Sequence, residues 1–253
     1  MKSINYEQVK EELRRKNLYD IQKELTLQRR TRTAIMSFLV FALVFTFVFG
    51  TLEDPFIYTL SNIGNFFTYR MIFIIWSMIA GVAIELAVVS LFKLEGYKNK
   101  MGIIAIYLAA FFLIATGIIP ALKETYPFWH YLHTFTSGVL AIFLYIAVVP
   151  FSLWISKENP RLRISIIIWQ VIIWAGSILM VILYWHSALF EIWFFVSTIL
   201  FLLYLCLVLF EEAIIKKSVK LMMDEENLNI AMEKIFVDLD SASKRQNKKH
   251  KSE

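Results

Sequence analysis

The histidines and nearby carboxylates are the side chains of this sequence most suited to chemistry. His130 and His133 are three residues apart, a spacing that places both imidazoles on one face of a helix. His186 and Glu191 follow near the ends of later apolar stretches. Imidazole and carboxylate ligands that leave one position open for water are typical of hydrolytic zinc sites. The set therefore predicts a candidate zinc site, formed by His130, His133 and His186, although the sequence lacks an H-E-x-x-H motif.

A second interpretation of the same histidines needs no metal. Trp129, Tyr131 and Tyr184 lie beside them in the sequence. Rings of this kind anchor helix ends at the level of the lipid headgroups. The histidines are then interfacial residues with a structural role, and no cofactor is required.

A carboxylate inside an apolar stretch is the next candidate for chemistry. Glu85 lies among long runs of aliphatic residues, and insertion of such a side chain costs about 2–3 kcal/mol. We therefore expect Glu85 to face other helices, with Gln170 at a comparable depth as a hydrogen-bond donor. This intramembrane pair predicts either a proton or cation relay, or a neutral carboxyl group that ties helices together.

The elements that must position these residues are six apolar stretches, each long enough to cross a bilayer as a helix. They cover residues 34–51, 70–92, 102–121, 131–155, 164–184 and 189–210, approximately. Hydrophobic residues make up 58% of a chain of 253 residues, which is more than a soluble core of that size can hide. The sequence predicts an all-α, polytopic membrane protein, a six-transmembrane-helix bundle whose consecutive helices are antiparallel neighbours.

Positive charge is distributed unequally between the connections of these stretches. All of the 26 Lys and Arg residues except Arg70 and Lys123 lie in the termini or in the connections after the second and fourth stretches. Cationic flanks are retained on the cytoplasmic side, so both termini are expected inside, in a cytoplasmic (plasma) membrane. The same reasoning assigns the basic charge to membrane orientation and to anionic lipid rather than to nucleic acid.

The chain divides by composition into four segments. Residues 1–33 predict a cytoplasmic amphipathic segment of one or two short helices, and 34–210 the six-helix membrane domain. Residues 211–240 keep a helical rhythm, whereas the basic tail 241–253 has too little apolar content to fold and is expected to be disordered. Between the first two stretches, 51–69 is the longest external connection and is rich in turn-forming residues. The cytoplasmic termini are a possible surface for a protein partner.

Several classes of protein are excluded by what the sequence lacks. The single cysteine, Cys206, allows neither an intramolecular disulfide nor a thiolate metal site. The sequence carries no phosphate-binding glycine loop, no G-x-S-x-G motif and no dinucleotide fingerprint. A soluble-type enzyme or an ATP-driven machine on this chain alone is therefore not expected.

Two short motifs carry a resemblance to a known family. The run Leu60-Ser61-Asn62-Ile63-Gly64-Asn65, and then Thr116-Gly117-Ile118-Ile119-Pro120 followed by His130 and His133, resemble elements of the six-span bacterial domain-of-unknown-function 998 family. The topology is also similar to the DRAM and Sfk-type membrane proteins. The resemblance covers residues 55–210 approximately and brings no established activity. It implies that a set of residues converges at the outer face: Ser61, Gly64, Gly117, Pro120, His130 and His133.

Three hypotheses for function follow. The first is non-enzymatic: an integral membrane protein of the cell envelope that binds a lipid or a protein partner through a polar pocket at its external face, to which His186 and Glu191 also contribute. The second is a metal-dependent, membrane-embedded hydrolase that uses His130, His133 and His186. The third is a transporter or permease subunit with Glu85 as the intramembrane relay.

Overall fold

The computed structural model of the chain describes residues 6–184 and 187–249, and these residues form helices joined by short connections. No β-strand occurs in this part of the chain. The helices are α1 Tyr6–Gly50, α2 Leu60–Phe66, α3 Arg70–Glu95, α4 Lys100–Ile118, α5 Pro127–Glu158, α6 Arg163–Gln170, α7 Gly176–Tyr184 and α8 Ala188–Lys249. A 3-10 turn, Pro160–Leu162, precedes α6, and a π-helical turn, Val171–Ala175, separates α6 from α7.

Six helical segments of the structure are long and apolar enough to cross a membrane, as the sequence predicts. They are Leu25–Gly50, Arg70–Glu95, Lys100–Ile118, Pro127–Glu158, Pro160–Tyr184 and Ala188–Val219. Their outward faces carry large apolar side chains, such as Phe111 and Ile182, which are 62% and 72% exposed. Only lipid makes such a surface favourable, so the chain is a multi-pass membrane protein.

Two compact units make up the chain. One contains Thr31–Phe210 and holds the six-helix domain; the other contains Met1–Arg30 and Glu211–Glu253. The core of the first unit is a cluster of buried apolar side chains from α1, α3, α4, α5 and the membrane-spanning part of α8. Within the described part of the second unit, Arg15 and Glu11 form an exposed ion pair at 2.8 Å.

Small residues line the contact between α3 and α4. Both helices bury several alanines, namely Ala80, Ala83 and Ala87 on α3 and Ala105, Ala109 and Ala110 on α4. Near the end of α4, Gly117 lies against the side chain of Ser77 and leaves no room for a β-carbon. In lipid the hydrophobic effect does not drive helices together. Close packing of small residues therefore stabilises such contacts.

The terminal helices are longer than the sequence analysis predicts. From Tyr6 onward, the amphipathic segment expected at 1–33 is part of α1, which runs without interruption to Gly50. At the other end α8 continues to Lys249, so the tail predicted to be disordered at 241–253 is helical as far as that residue. Neither glycine nor proline occurs before Gly50 or after Gly176, so no residue type that breaks helices interrupts these segments.

Within the connection 51–69, the turn-forming residues build a short helix, α2, rather than an open loop. Thr59 caps it, since its hydroxyl accepts a hydrogen bond from the amide of Asn62 at 3.1 Å. Near the other end of α2, the Asn65 side chain donates to the carbonyl of Ser61 at 2.7 Å. A hydroxyl side chain just before a helix satisfies an amide that the first turn leaves open, which is why such residues suit both turns and caps.

The fifth span is broken into pieces where the sequence predicts one continuous helix over 164–184. In its π-helical turn, the carbonyl of Ile172 accepts a hydrogen bond from the indole of Trp193 on α8, at 3.0 Å. A π-helical turn disturbs the regular ladder of backbone hydrogen bonds. Here a side chain from a neighbouring helix donates a hydrogen bond to one of the carbonyls of the turn. The span is also peripheral: only 11% of its most apolar window is buried, against 33–50% in the other five.

Candidate functional site

Two connections and the start of one helix meet at one end of the six-helix domain, which we call the distal end: residues 51–69, residues 119–126 and the start of α8. The amide of Ala188 donates to the carbonyl of Tyr58 at 2.6 Å, which joins the first connection to α8. Arg70 donates to the carbonyl of Ile118 at 2.5 Å, which joins α3 to the end of α4. The described residues that the sequence assigns to an external pocket are distributed over these segments and the helix ends beside them, and they do not line one cavity.

Glu191 holds α2 in place. Its carboxylate accepts a hydrogen bond from the amide of Leu60, the first residue of α2, at 2.5 Å. That amide belongs to a residue 131 positions earlier in the chain and has no partner within its own short helix. Glu191 thus has a defined structural partner, and it also lines a cavity described below.

The two neighbouring histidines bind the backbone that precedes their own helix. His130 donates from Nδ1 to the carbonyl of Ala121 at 3.0 Å, and His133 donates from Nδ1 to the carbonyl of Ile119 at 3.1 Å. The hydroxyls of Thr136 and Ser137 in turn donate to the carbonyl of His133, each at 2.9 Å. The histidines therefore fasten the connection 119–126 to the first turns of α5.

A metal site is not assembled by the part of the chain that the structure describes. No group of three or more His, Cys, Asp or Glu side chains converges there. The third predicted ligand, His186, lies outside the described residues. The zinc site of His130, His133 and His186 consequently stays a prediction.

Some of the small residues that the sequence assigns to the external pocket allow helices to pack closely. Others lie apart from the histidines. Gly64 of α2 lies against the ring of Phe73, and Gly117 lies against Ser77, so both allow close approach of helices. Ser61 is buried and shares a hydrogen bond with the Thr59 hydroxyl at 2.9 Å. Pro120 lines a cavity at the distal end that contains neither His133 nor Glu191.

A larger cavity, which we call the central cavity, has a volume of about 390 Å³. Its wall is mainly apolar and is formed by α2, α3, α4, α5, the π-helical turn, α7 and α8. Representative lining residues are Leu60, Phe73, Trp76, Leu113, Leu140, Trp174 and Phe194. Thr116, His133, Ser137 and Glu191 supply polar groups to it. An apolar cavity of this size with a few polar groups is the usual form of a small-molecule site in a protein.

Arg70 is the residue of the distal end that sequence reasoning missed. Its guanidinium donates from Nη1 to the Asn65 side chain at 2.6 Å and from Nη2 to the carbonyl of Ile118. It lines a second cavity of about 310 Å³, together with Pro120, Leu122, Tyr126 and Trp129. The sequence did carry a signal, because Arg70 is one of the two cations that depart from the basic-side pattern.

The intramembrane pair predicted from sequence is not formed. Gln170 donates to the hydroxyl of Ser152 at 3.1 Å and accepts from the indole of Trp174 at 2.7 Å, so it ties α6 to α5 and to the π-helical turn. Glu85 is partly exposed, and it makes no hydrogen bond or ion pair with any residue the structure describes. Gln170 is thus bound by a hydroxyl and an indole, and a relay role for Glu85 stays a prediction.

Comparison of this chain with protein-family models, with curated proteins and with solved structures finds no match. The resemblance to the domain-of-unknown-function 998 family accordingly stays a prediction.

Proposed function

We propose that this membrane protein binds the apolar part of a lipid in its central cavity and is not an enzyme. The observation that carries the proposal is the cavity itself, about 390 Å³ of mainly apolar space within the bundle. Protein interiors ordinarily leave few voids larger than a water molecule. A space of this size therefore suits an occupant, and its wall favours hydrocarbon.

The polar groups of the cavity suggest how an occupant is oriented. His133 and Thr116 lie at the junction of α4 and α5, and Glu191 lies in the first turn of α8, all at the distal end. A lipid with its chain among Leu113, Leu140 and Phe194 places its polar group beside these side chains. Few, well-placed polar groups fix orientation, while apolar surface supplies most of the binding free energy.

Access from the bilayer is expected along α7. Ile178 and Ile182 line the cavity and are also 63% and 72% exposed on the surface of the bundle. No residue of α7 is buried, and the span that contains it is the least buried of the six. A cavity bounded by such a helix is reached by a lipid chain moving sideways from the membrane, with no passage through water.

A cavity-filling substitution tests the proposal. Palmitic acid that carries a diazirine in its chain is photolysed with the full-length protein in detergent, and the attachment sites are mapped by mass spectrometry. Attachment is expected in peptides that contain Leu140, Trp174 or Phe194. Ala141→Trp, which fills the cavity, is expected to lower this attachment about tenfold or more, equivalent to about 1.4 kcal/mol of binding free energy.

Ile142→Trp is the matched control, because this neighbouring residue is 60% exposed and does not line the cavity. It is expected to leave the attachment in place. Equal attachment over all outward-facing helix surfaces, unchanged by Ala141→Trp, would show that the probe merely coats the protein and would refute the proposal.

We also infer that the distal end faces the outside of a cytoplasmic (plasma) membrane, with both termini inside. The support is the distribution of Lys and Arg, since only Arg70 and Lys123 belong to connections of the distal end. In this orientation, the polar end of the cavity lies at the depth of the outer leaflet. The lipid that the cavity receives is then one of that leaflet.

A further inference from the structure

We propose a second binding site, for a phosphate group, in the second cavity, which Arg70 lines at the distal end. This cavity measures about 310 Å³ and is lined by Asn65, Arg70, Pro120, Leu122, Tyr126 and Trp129. None of these residues lines the central cavity, so phosphate binding here does not depend on lipid-chain binding there. The phosphate belongs either to an anionic lipid headgroup or to a free phosphate ion.

Arg70 is held in place and is not neutralised. Its two hydrogen bonds, to the Asn65 amide oxygen at 2.6 Å and to the Ile118 carbonyl at 2.5 Å, go to neutral acceptors. Among the residues that the structure describes, no carboxylate pairs with it. A guanidinium carries five N–H donors, so donors and a full positive charge stay available on a side chain whose position is already set.

The electrostatic surroundings favour an anion further. Arg70 and His130 both lie close enough to His133 to act on it electrostatically, so Arg70 belongs to a group of three basic side chains. A partly buried cation without a counter-ion is costly, and an anionic ligand offsets that cost. The planar fork of arginine matches the oxygens of phosphate, which is why phosphate is the anion we assign.

The aromatic side of the cavity fits the headgroup region of a membrane. Tyr126 and Trp129 are 49% and 44% exposed and lie just before and within the first turn of α5. Tyr and Trp prefer the depth of the lipid headgroups, where phosphate groups are concentrated. The cavity thus places a fixed guanidinium at the membrane depth where phosphate oxygens occur.

The test uses full-length protein and two probes. In the first arm, nanodiscs of equal parts phosphatidylglycerol and phosphatidylcholine are analysed by native mass spectrometry for the lipid that stays bound. In the second arm, protein in a maltoside detergent, which contains no phosphate, is dialysed against radioactive inorganic phosphate. Retained phosphatidylglycerol identifies a headgroup as the ligand, whereas phosphate uptake in the second arm identifies a free ion.

Arg70→Gln is expected to lower binding in the responding arm about tenfold or more, the scale of a lost charge-assisted interaction. The matched control is Lys123→Gln, which removes the other cation of the distal connections from an exposed position and should change binding less than about twofold. Equal losses in the two variants, or no Arg70-dependent binding in either arm, would overturn the proposal.

A second variant guards against a folding defect, because Arg70 also joins α3 to α4. Leu122→Trp fills the cavity from the connection 119–126 and leaves both hydrogen bonds of Arg70 in place. It is expected to reduce phosphate-dependent binding as strongly as Arg70→Gln. Full binding in Leu122→Trp would contradict the assignment of this cavity.

Discussion

At the scale of single residues, the polar side chains of the distal end bind backbone groups. Glu191 accepts from the amide of Leu60, and His130 and His133 donate to carbonyls of the connection 119–126. In a membrane, backbone groups outside a helix lack water at depth and need such partners. A residue that sequence alone suggests for catalysis can therefore be explained by the segment it holds.

Glu191→Ala is expected to destabilise the protein by about 1–3 kcal/mol, because it leaves the amide of buried Leu60 without an acceptor. Thermal unfolding of the purified protein in detergent, followed by intrinsic fluorescence, measures the change. Glu191→Gln keeps an acceptor oxygen and should cost less than the alanine variant. Wild-type stability in Glu191→Ala would mean that the hydrogen bond to Leu60 contributes nothing.

At the scale of elements, close approach of α3 and α4 and the broken fifth span shape the domain. Gly117 and the buried alanines let α3 and α4 lie close together. The fifth span packs loosely by comparison, and its π-helical turn gives a carbonyl to Trp193 of α8. The central cavity is lined both by residues of this loosely packed span and by residues of α3 and α4.

Two glycine substitutions test the packing of α3 on α4. Gly117→Ala should destabilise by about 1–3 kcal/mol, because its new β-carbon overlaps the Ser77 side chain. Gly138→Ala, in α5, has open space around the new atom and should be neutral or stabilising by about 0.5–1 kcal/mol. Chemical or thermal unfolding of both variants in one detergent gives the comparison; equal stability of the two would argue against the contact.

At the scale of the whole molecule, orientation follows from charge. The basic residues that follow α3 and α5 are separated from the distal end by the length of a span. Cysteine labelling in intact cells tests the orientation in a Cys206→Ala background, which is suitable because Cys206 is buried. Lys123→Cys and Lys98→Cys, both at exposed positions, serve as reporters.

A membrane-impermeant maleimide is expected to label Lys123→Cys in intact cells, and Lys98→Cys only after permeabilisation. The reverse pattern would place the termini outside and would move the central cavity to the inner leaflet. Labelling of both reporters in intact cells would indicate mixed insertion, which also contradicts a single orientation.

The sequence by itself determined the class of the protein and the number of its spans. Hydropathy over about 20 residues is a local property, and a bilayer selects for it directly, so the six spans were predictable without knowledge of any contact. Charge in the connections is equally local. It singled out Arg70 and Lys123 as exceptions, but did not show that Arg70 binds Asn65 and Ile118.

Only the tertiary structure decided which polar residues meet. Glu191 and Leu60 are 131 residues apart, and Gln170 forms hydrogen bonds with Ser152 and Trp174 instead of Glu85. Both pairings depend on how the helices are rotated and how they pack against one another. Lipid is as apolar as the interior, so hydropathy does not tell which face of a span is buried. Small residues, caps and long-range hydrogen bonds make that choice, and the two cavities follow from it.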